Sequence, residues 1–153
     1  MSKMIAVGNQ KGGVGKTTTT VNLGAALATL GKKVLIIDSD SQGNATSGLG
    51  VERSALDASL YEVLIDQIPI QDVIVETSQD NLWIVPSNIQ LAAAELELVN
   101  IENRESRLKE AVAPIRKNYD YILIDCPPSL GQLSINAFTA SDTILIPVQA
   151  EYY

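Results

Sequence analysis

Histidine is absent from the 153 residues, and cysteine occurs once, at Cys126. The first absence excludes histidine-based acid–base catalysis and histidine metal sites. The second excludes an internal disulfide framework and suits a reducing compartment. Long apolar runs are missing too: the longest (Val34 to Ile37, Tyr121 to Ile124, Thr143 to Val148) are strand-length. A membrane span needs about 20 apolar residues, so no transmembrane helix is expected. The stretch Met1-Ser2-Lys3-Met4-Ile5-Ala6-Val7 lacks signal-peptide anatomy, which points to a cytoplasmic protein. Positive charge is in deficit, with 11 Lys and Arg against 18 Asp and Glu and a net charge of −7. That balance argues against nucleic-acid binding by this stretch, because phosphate contacts need clustered Lys and Arg.

What is present is ordinary globular composition, 46% hydrophobic and 19% charged, at a length that suits one domain with a real core. Strand-length apolar runs alternate with segments of helical period. Strands are expected at 4–9, 33–38, 82–86, 120–125 and 142–148, and helices at 17–30, 59–66, 90–101, 104–117 and 132–140. Leu91, Ala94, Leu98 and Ile101 recur at helical spacing, as do Leu108, Val112 and Ile115. Pro114 falls late in the second run, where it ends or kinks a helix. Gly31 is placed to cap the first helix, just before Lys32-Lys33. The alternation predicts an α/β fold: a doubly wound, mostly parallel sheet with helices on both faces. The chain stops at Ala150-Glu151-Tyr152-Tyr153 directly after a strand. Residues 1–153 are therefore expected to form a single domain that is incomplete on its C-terminal side.

The stretch with most chemical content is Lys11-Gly12-Gly13-Val14-Gly15-Lys16-Thr17-Thr18, between the first strand and the first helix. Glycines 12, 13 and 15 let backbone N–H groups approach phosphate oxygens closely. The following helix N-terminus adds roughly half a positive charge of dipole toward the same anion. In this arrangement Lys16 reaches the β- and γ-phosphates and the Thr17 hydroxyl ligates magnesium. One departure from G-x-x-x-x-G-K-[ST] is Gln10 at the first glycine position. Tyr121-Ile122-Leu123-Ile124-Asp125 is an apolar strand ending in a carboxylate, the form of a Walker B strand. Such an aspartate can hold the magnesium hydration shell at the C-terminal edge of a parallel sheet.

With these residues in hand, the sequence resembles the ParA/MinD family, whose variant Walker A loop opens with an extra lysine, here Lys11. Within it the chain is more similar to the ParA (Soj-like) partition ATPases. The likeness is carried by Asn9 to Thr19, by Asp38-Ser39-Asp40-Ser41-Gln42-Gly43-Asn44-Ala45-Thr46, by Asp125-Cys126-Pro127-Pro128-Ser129-Leu130-Gly131, and by Pro147 to Tyr153. Ser41 departs from the pattern, which usually has proline there. The resemblance implies an ATP-hydrolysing protein that forms an ATP-dependent sandwich homodimer and segregates plasmid or chromosomal DNA with a ParB-type partner. Lys11, Gly12, Gly13, Val14, Gly15, Lys16, Thr17 and Thr18 would hold the nucleotide, Lys11 reaching the partner subunit's ATP. Lys11, Lys16 and Asp40 would be catalytic, Asp40 orienting the attacking water. Thr17, Asp38 and Asp125 would form the magnesium network. Non-specific DNA binding, in a nucleoid-associated protein, would fall to a C-terminal part beyond residue 153, with no membrane partner. Two alternatives stay open: a MinD-type membrane-associated cell-division ATPase, and a nucleotide-binding module without turnover. Cys126 is expected to be a small packing residue.

Overall fold

The computed structural model describes residues 2–8 and 16–147. Strand β1 (Lys3–Val7) is followed by helix α1 (Lys16–Thr29), β2 (Val34–Asp38), α2 (Asn44–Gly48) and α3 (Leu60–Ile65). Then come β3 (Val75–Glu76), β4 (Leu82–Val85), α4 (Leu91–Glu97), α5 (Arg107–Val112), β5 (Tyr121–Asp125), α6 (Gln132–Ala140) and β6 (Thr143–Leu145). The strands form one six-stranded sheet in the order β3-β4-β2-β5-β1-β6. All neighbours run parallel except β3, which is antiparallel to β4. This is the expected doubly wound architecture, with one short antiparallel strand added at an edge.

The central strands are apolar along their length because both faces are covered. Every residue of β2 is buried. Leu35 and Ile37 pack with residues of α3, α4, α5 and α6 on one face, while Val34 and Ile36 pack with residues of α1 on the other. Helix α1 comes very close to the sheet at Gly24, where an added Cβ would lie 2.8 Å from Ile36 Cδ1. A glycine in mid-helix costs roughly 1 kcal/mol against alanine; here it serves close approach. Past Thr29 the chain turns at Gly31 with φ +87°, and Lys32 N donates to Leu27 O at 3.1 Å, as the expected cap requires.

Helix α3 opens with a reciprocal cap. Ser59 Oγ accepts from Tyr61 N at 3.3 Å, and Glu62 Oε2 accepts from Ser59 N at 3.0 Å. The expected helices 90–101 and 104–117 are each shorter than their periodicity suggested. Residues 98–100 tighten into a 3₁₀ turn after α4. Asn103 adopts φ +58°, a 3₁₀ turn covers 104–106, and α5 stops at Val112. Pro114 accounts for that stop: it has no N–H to donate and its ring clashes with the carbonyl four residues back. Four elements were not anticipated: α2, β3, and the 3₁₀ turns at 53–55 and 70–72. Cys126 is buried in the core, as expected of a packing residue. Among the described residues no helix is long and apolar enough to cross a membrane.

Candidate functional site

Parallel strands bring their C-terminal ends to one edge, and the chemistry-bearing residues collect there. β5 ends at Asp125 and β2 at Asp38, and the two are register partners. β1 pairs with β5 on the other side, Val7 opposite Asp125, so β1 ends beside that carboxylate. Asp125 is fully buried. Its Oδ2 accepts from Thr17 Oγ1 at 3.0 Å and its Oδ1 from Thr20 Oγ1 at 3.1 Å. Thr17 and Thr20 are three apart, hence on one face of α1. The first turn of the helix is thus tied to the end of β5 through both carboxylate oxygens.

Asp38 is oriented differently. Its Oδ1 accepts from Asp40 N at 3.1 Å, and its Oδ2 accepts from Thr46 N at 2.9 Å and Thr46 Oγ1 at 2.6 Å. Three donors on one carboxylate fix the path of the chain from β2 into α2. Burial pushes the Asp38 carboxyl up to about 6; the charge of Asp125 adds to that rise, while the bonds from Thr46 and Asp40 oppose it.

Asp40 lies in the loop that Asp38 anchors, and it is nearly buried. Its Oδ1 accepts from Gln42 N at 3.0 Å, a turn made by the side chain on its own backbone. Its carbonyl accepts from Gly43 N at 2.9 Å and from Ser87 Oγ at 2.5 Å. Gly43, with φ +68°, allows the sharp turn into α2. Ser87 N in turn donates to Thr46 Oγ1 at 3.0 Å, so the segment after β4 braces both Thr46 and Asp40.

The structure therefore brings together Thr17, Asp38, Asp40 and Asp125 from the sequence-predicted set. Lys11, Gly12, Gly13, Val14 and Gly15 lie outside the described residues. Lys16 opens α1, its side chain likewise outside. Thr18 occupies the first turn of the same helix. Thr20, Thr46 and Ser87 escaped the sequence reading as site residues. Thr20 carried a signal, the i, i+3 spacing from Thr17. Ser87 carried none, because its relation to Asp40 exists only once β4 is laid beside β2.

The donor set at the sheet edge can be tested against a cation. A threonine hydroxyl beside a carboxylate is an all-oxygen pair, suited to a hard divalent ion. No cluster of three or more His, Cys, Asp or Glu able to hold a metal occurs among the described residues. The Thr17–Asp125 pair offers the one or two oxygen ligands that magnesium takes from a protein.

A parallel sheet whose inner strand β1 feeds a glycine-rich connection and a helix, with hydroxyl and carboxylate converging at its C-terminal edge, defines a P-loop type nucleotide-binding α/β domain. The chain belongs to the family described as AAA domain, which it matches over residues 2–153. It is 59% identical, over all 153 residues, to the sporulation initiation inhibitor protein Soj of Bacillus subtilis, and 50% identical to the chromosome partitioning protein ParA of Myxococcus xanthus. It spans 60% and 54% of the lengths of those relatives. Among solved structures it superposes with TM-score 0.94 and 41% identity on a cobyrinic acid a,c-diamide synthase from Mycobacterium smegmatis with bound ATP analogue and magnesium. That match covers 99% of this chain and 62% of the other. A putative plasmid partition protein of Borrelia burgdorferi bound to AMPPNP matches with TM-score 0.81 and 33% identity, over 95% of this chain and 62% of its own.

Proposed function

We propose that this chain is the nucleotide-binding part of an ATP-hydrolysing partition protein that works as an ATP-dependent homodimer. The observation that carries the reading is the Thr17–Asp125 pair at the end of β5, set one strand from the Asp38–Asp40 loop. Support for partition, rather than the MinD-type alternative, comes from the likeness to Soj and ParA along the whole chain. Two structural relatives that carry ATP analogues, one with magnesium, support the choice of nucleotide and ion.

In the proposed mechanism the backbone N–H groups of residues 12–15 cradle the phosphates and Lys16 neutralises their oxygens. Thr17 and Asp125 would hold magnesium, which when bound would supply neutralisation of phosphate charge. Asp40 orients the water that attacks the γ-phosphate, from a loop whose turns are fixed by Asp38, Gly43 and Ser87. Lys11 reaches across to the partner subunit's nucleotide, so turnover requires two copies. Phosphoryl transfer depends on positioning and electrostatics more than on covalent chemistry, so a braced loop beside the phosphates is the machinery the reaction needs. A ParB-type protein stimulates the cycle, and the ATP-bound dimer holds DNA non-specifically through residues beyond 153.

Phosphate release by the full-length protein, with and without magnesium, tests the enzymatic part. Magnesium-dependent release is the expected result, and tight ATP binding with no release would leave a nucleotide-binding module instead. Gel-shift titration at two salt concentrations tests the DNA part: ATP-dependent binding that weakens steeply with salt is expected. Salt-insensitive or ATP-independent binding would reject it.

A further inference from the structure

The loop that carries Asp40 is held from outside by a residue that no motif marks. Arg53 sits in the exposed 3₁₀ turn 53–55, which follows α2 in the chain. Its Nη1 donates to Gln42 O at 2.9 Å and its Nη2 to Ser41 O at 2.7 Å. Both prongs of the guanidinium fork thus go to consecutive carbonyls directly after Asp40. The carbonyl before them, that of Asp40, is taken by Ser87 Oγ at 2.5 Å. Three consecutive main-chain oxygens of this short loop are therefore fixed by side chains from two other segments.

Gly43 makes the approach possible. An added Cβ there would lie 2.7 Å from Arg53 Nη1 and 2.8 Å from its Cζ. Glycine at this position thus answers two demands, the positive φ of the turn and the room for a flat guanidinium against the backbone. Arginine suits the task because its planar fork engages two acceptors at a fixed separation, which the single ammonium of lysine cannot.

We propose that Arg53 is a positioning residue for hydrolysis: its guanidinium latches the Ser41 and Gln42 carbonyls and so fixes where the Asp40 carboxylate stands. The latch acts on Asp40 through the backbone, because Gln42 N is itself bonded to Asp40 Oδ1. If the 41–42 peptide groups turn, that bond goes with them. The guanidinium bonds go to Ser41 and Gln42, and the Thr17–Asp125 pair is not among its partners, so the expected loss is in turnover rather than in nucleotide affinity. The proposal rests on the reading of Asp40 as the group that orients the attacking water.

The test compares full-length wild type, Arg53→Ala and Arg53→Lys by steady-state phosphate release and by amide hydrogen exchange without nucleotide. In Arg53→Ala, kcat should fall about 10- to 100-fold, the range that a misplacement of about 1 Å produces. KM for ATP should stay within about twofold. The amides of Gln42 and Gly43 should exchange faster, while those of the β2 and β5 ladder stay protected. Arg53→Lys should recover part of the loss, and low millimolar guanidinium ion should restore part of the turnover to Arg53→Ala but none to Arg53→Lys. Unchanged exchange at 42–43 overturns the latch whatever the activity. Faster exchange with unchanged kcat overturns the link to Asp40. A raised KM at unchanged kcat assigns Arg53 to nucleotide binding and overturns the proposal too. If wild type itself releases no phosphate, the hydrolytic reading fails, while the exchange experiment still decides whether Arg53 holds the loop.

Discussion

Asp38 and Asp125 stand opposite one another on the same rung of the β2–β5 ladder, yet their carboxylates are bonded to different parts of the molecule. Asp125 is engaged by Thr17 and Thr20 of α1, whereas Asp38 is engaged by Asp40 and by Thr46 of α2. One carboxylate thus ties α1 to the sheet, and its neighbour ties down the loop that carries the proposed water-orienting residue. Two buried acids side by side have electrostatic consequences.

Asp38 is raised from 3.8 to about 6, so between those values the folded chain holds a proton that the unfolded chain has released. A raised carboxylate favours the folded state less as pH climbs through that window, by roughly 1.4 kcal/mol for each pH step of one. Stability from this group should therefore decline as pH rises from the lower value to the upper, and then level off. Denaturant unfolding of nucleotide-free protein across that range should show a shallower slope for Asp38→Asn, once corrected for the lost bonds at neutral pH. An identical slope in both proteins would show that Asp38 titrates normally.

The two threonines on Asp125 should fail differently. Thr17→Ala should weaken magnesium-dependent ATP binding, measured by titrating a fluorescent ATP analogue with and without the ion. Thr20→Val should leave that binding nearly intact but lower stability by about 1.5–3 kcal/mol, the cost of losing a buried bond to a charged acceptor. Equal loss of nucleotide affinity in both variants would show that Asp125, rather than Thr17, sets the metal site.

Asp40→Ala and Lys11→Ala separate water positioning from subunit pairing. Asp40→Ala should bind ATP, dimerise, and accumulate without turnover, since it removes stabilisation of the transition state alone. Lys11→Ala should bind ATP as a monomer, with hydrolysis falling alongside dimerisation. Light scattering with ATP, run beside phosphate release, reads both. Normal dimerisation and turnover in Lys11→Ala would make it an ordinary surface lysine.

Packing at Gly24 predicts a change of sign. In wild type, Gly24→Ala gains about 1 kcal/mol of helix propensity but drives a Cβ to within 2.8 Å of Ile36 Cδ1. Overpacking of this kind costs about 1–3 kcal/mol, so the net effect should be neutral to destabilising. Ile36→Val removes the obstructing methyl, and Gly24→Ala made in that background should stabilise. Urea unfolding of the four proteins measures the coupling, and simple additivity would show that the helix rides freely on the sheet.

The doubly wound sheet was legible in the sequence because its inner strands are buried on both faces and read as unbroken apolar runs, Val34 to Ile37 and Tyr121 to Ile124. Helix ends were less legible. Leu108, Val112 and Ile115 keep helical spacing although Pro114 stops α5 at Val112, because periodicity records which side faces the core and not whether the backbone stays helical. Two-residue β3 has too little sequence to carry a pattern. At the site, Thr17 and Asp125 stood out from the residues themselves, one opening a helix and the other closing an apolar strand, whereas Asp38 and Asp40 were singled out by the family resemblance. Thr46, Ser87 and Arg53 were not, because their meaning comes from partners 8, 47 and 11 or 12 positions away.

The strand order has a consequence for how the protein comes into being. β5 lies between β1 and β2, and it places residue 121 against both residue 3 and residue 34. Until β5 exists, no strand joins β1 to β2 in the sheet, and Asp125 is missing from the site. During synthesis, at about 5–20 residues per second, the stretch from β2 to β5 leaves the early strands waiting for several seconds. Ligand affinity should therefore arise as a single late step on the ribosome. Nascent chains halted before Asp125 emerges should bind no ATP, however much of the phosphate loop they already contain.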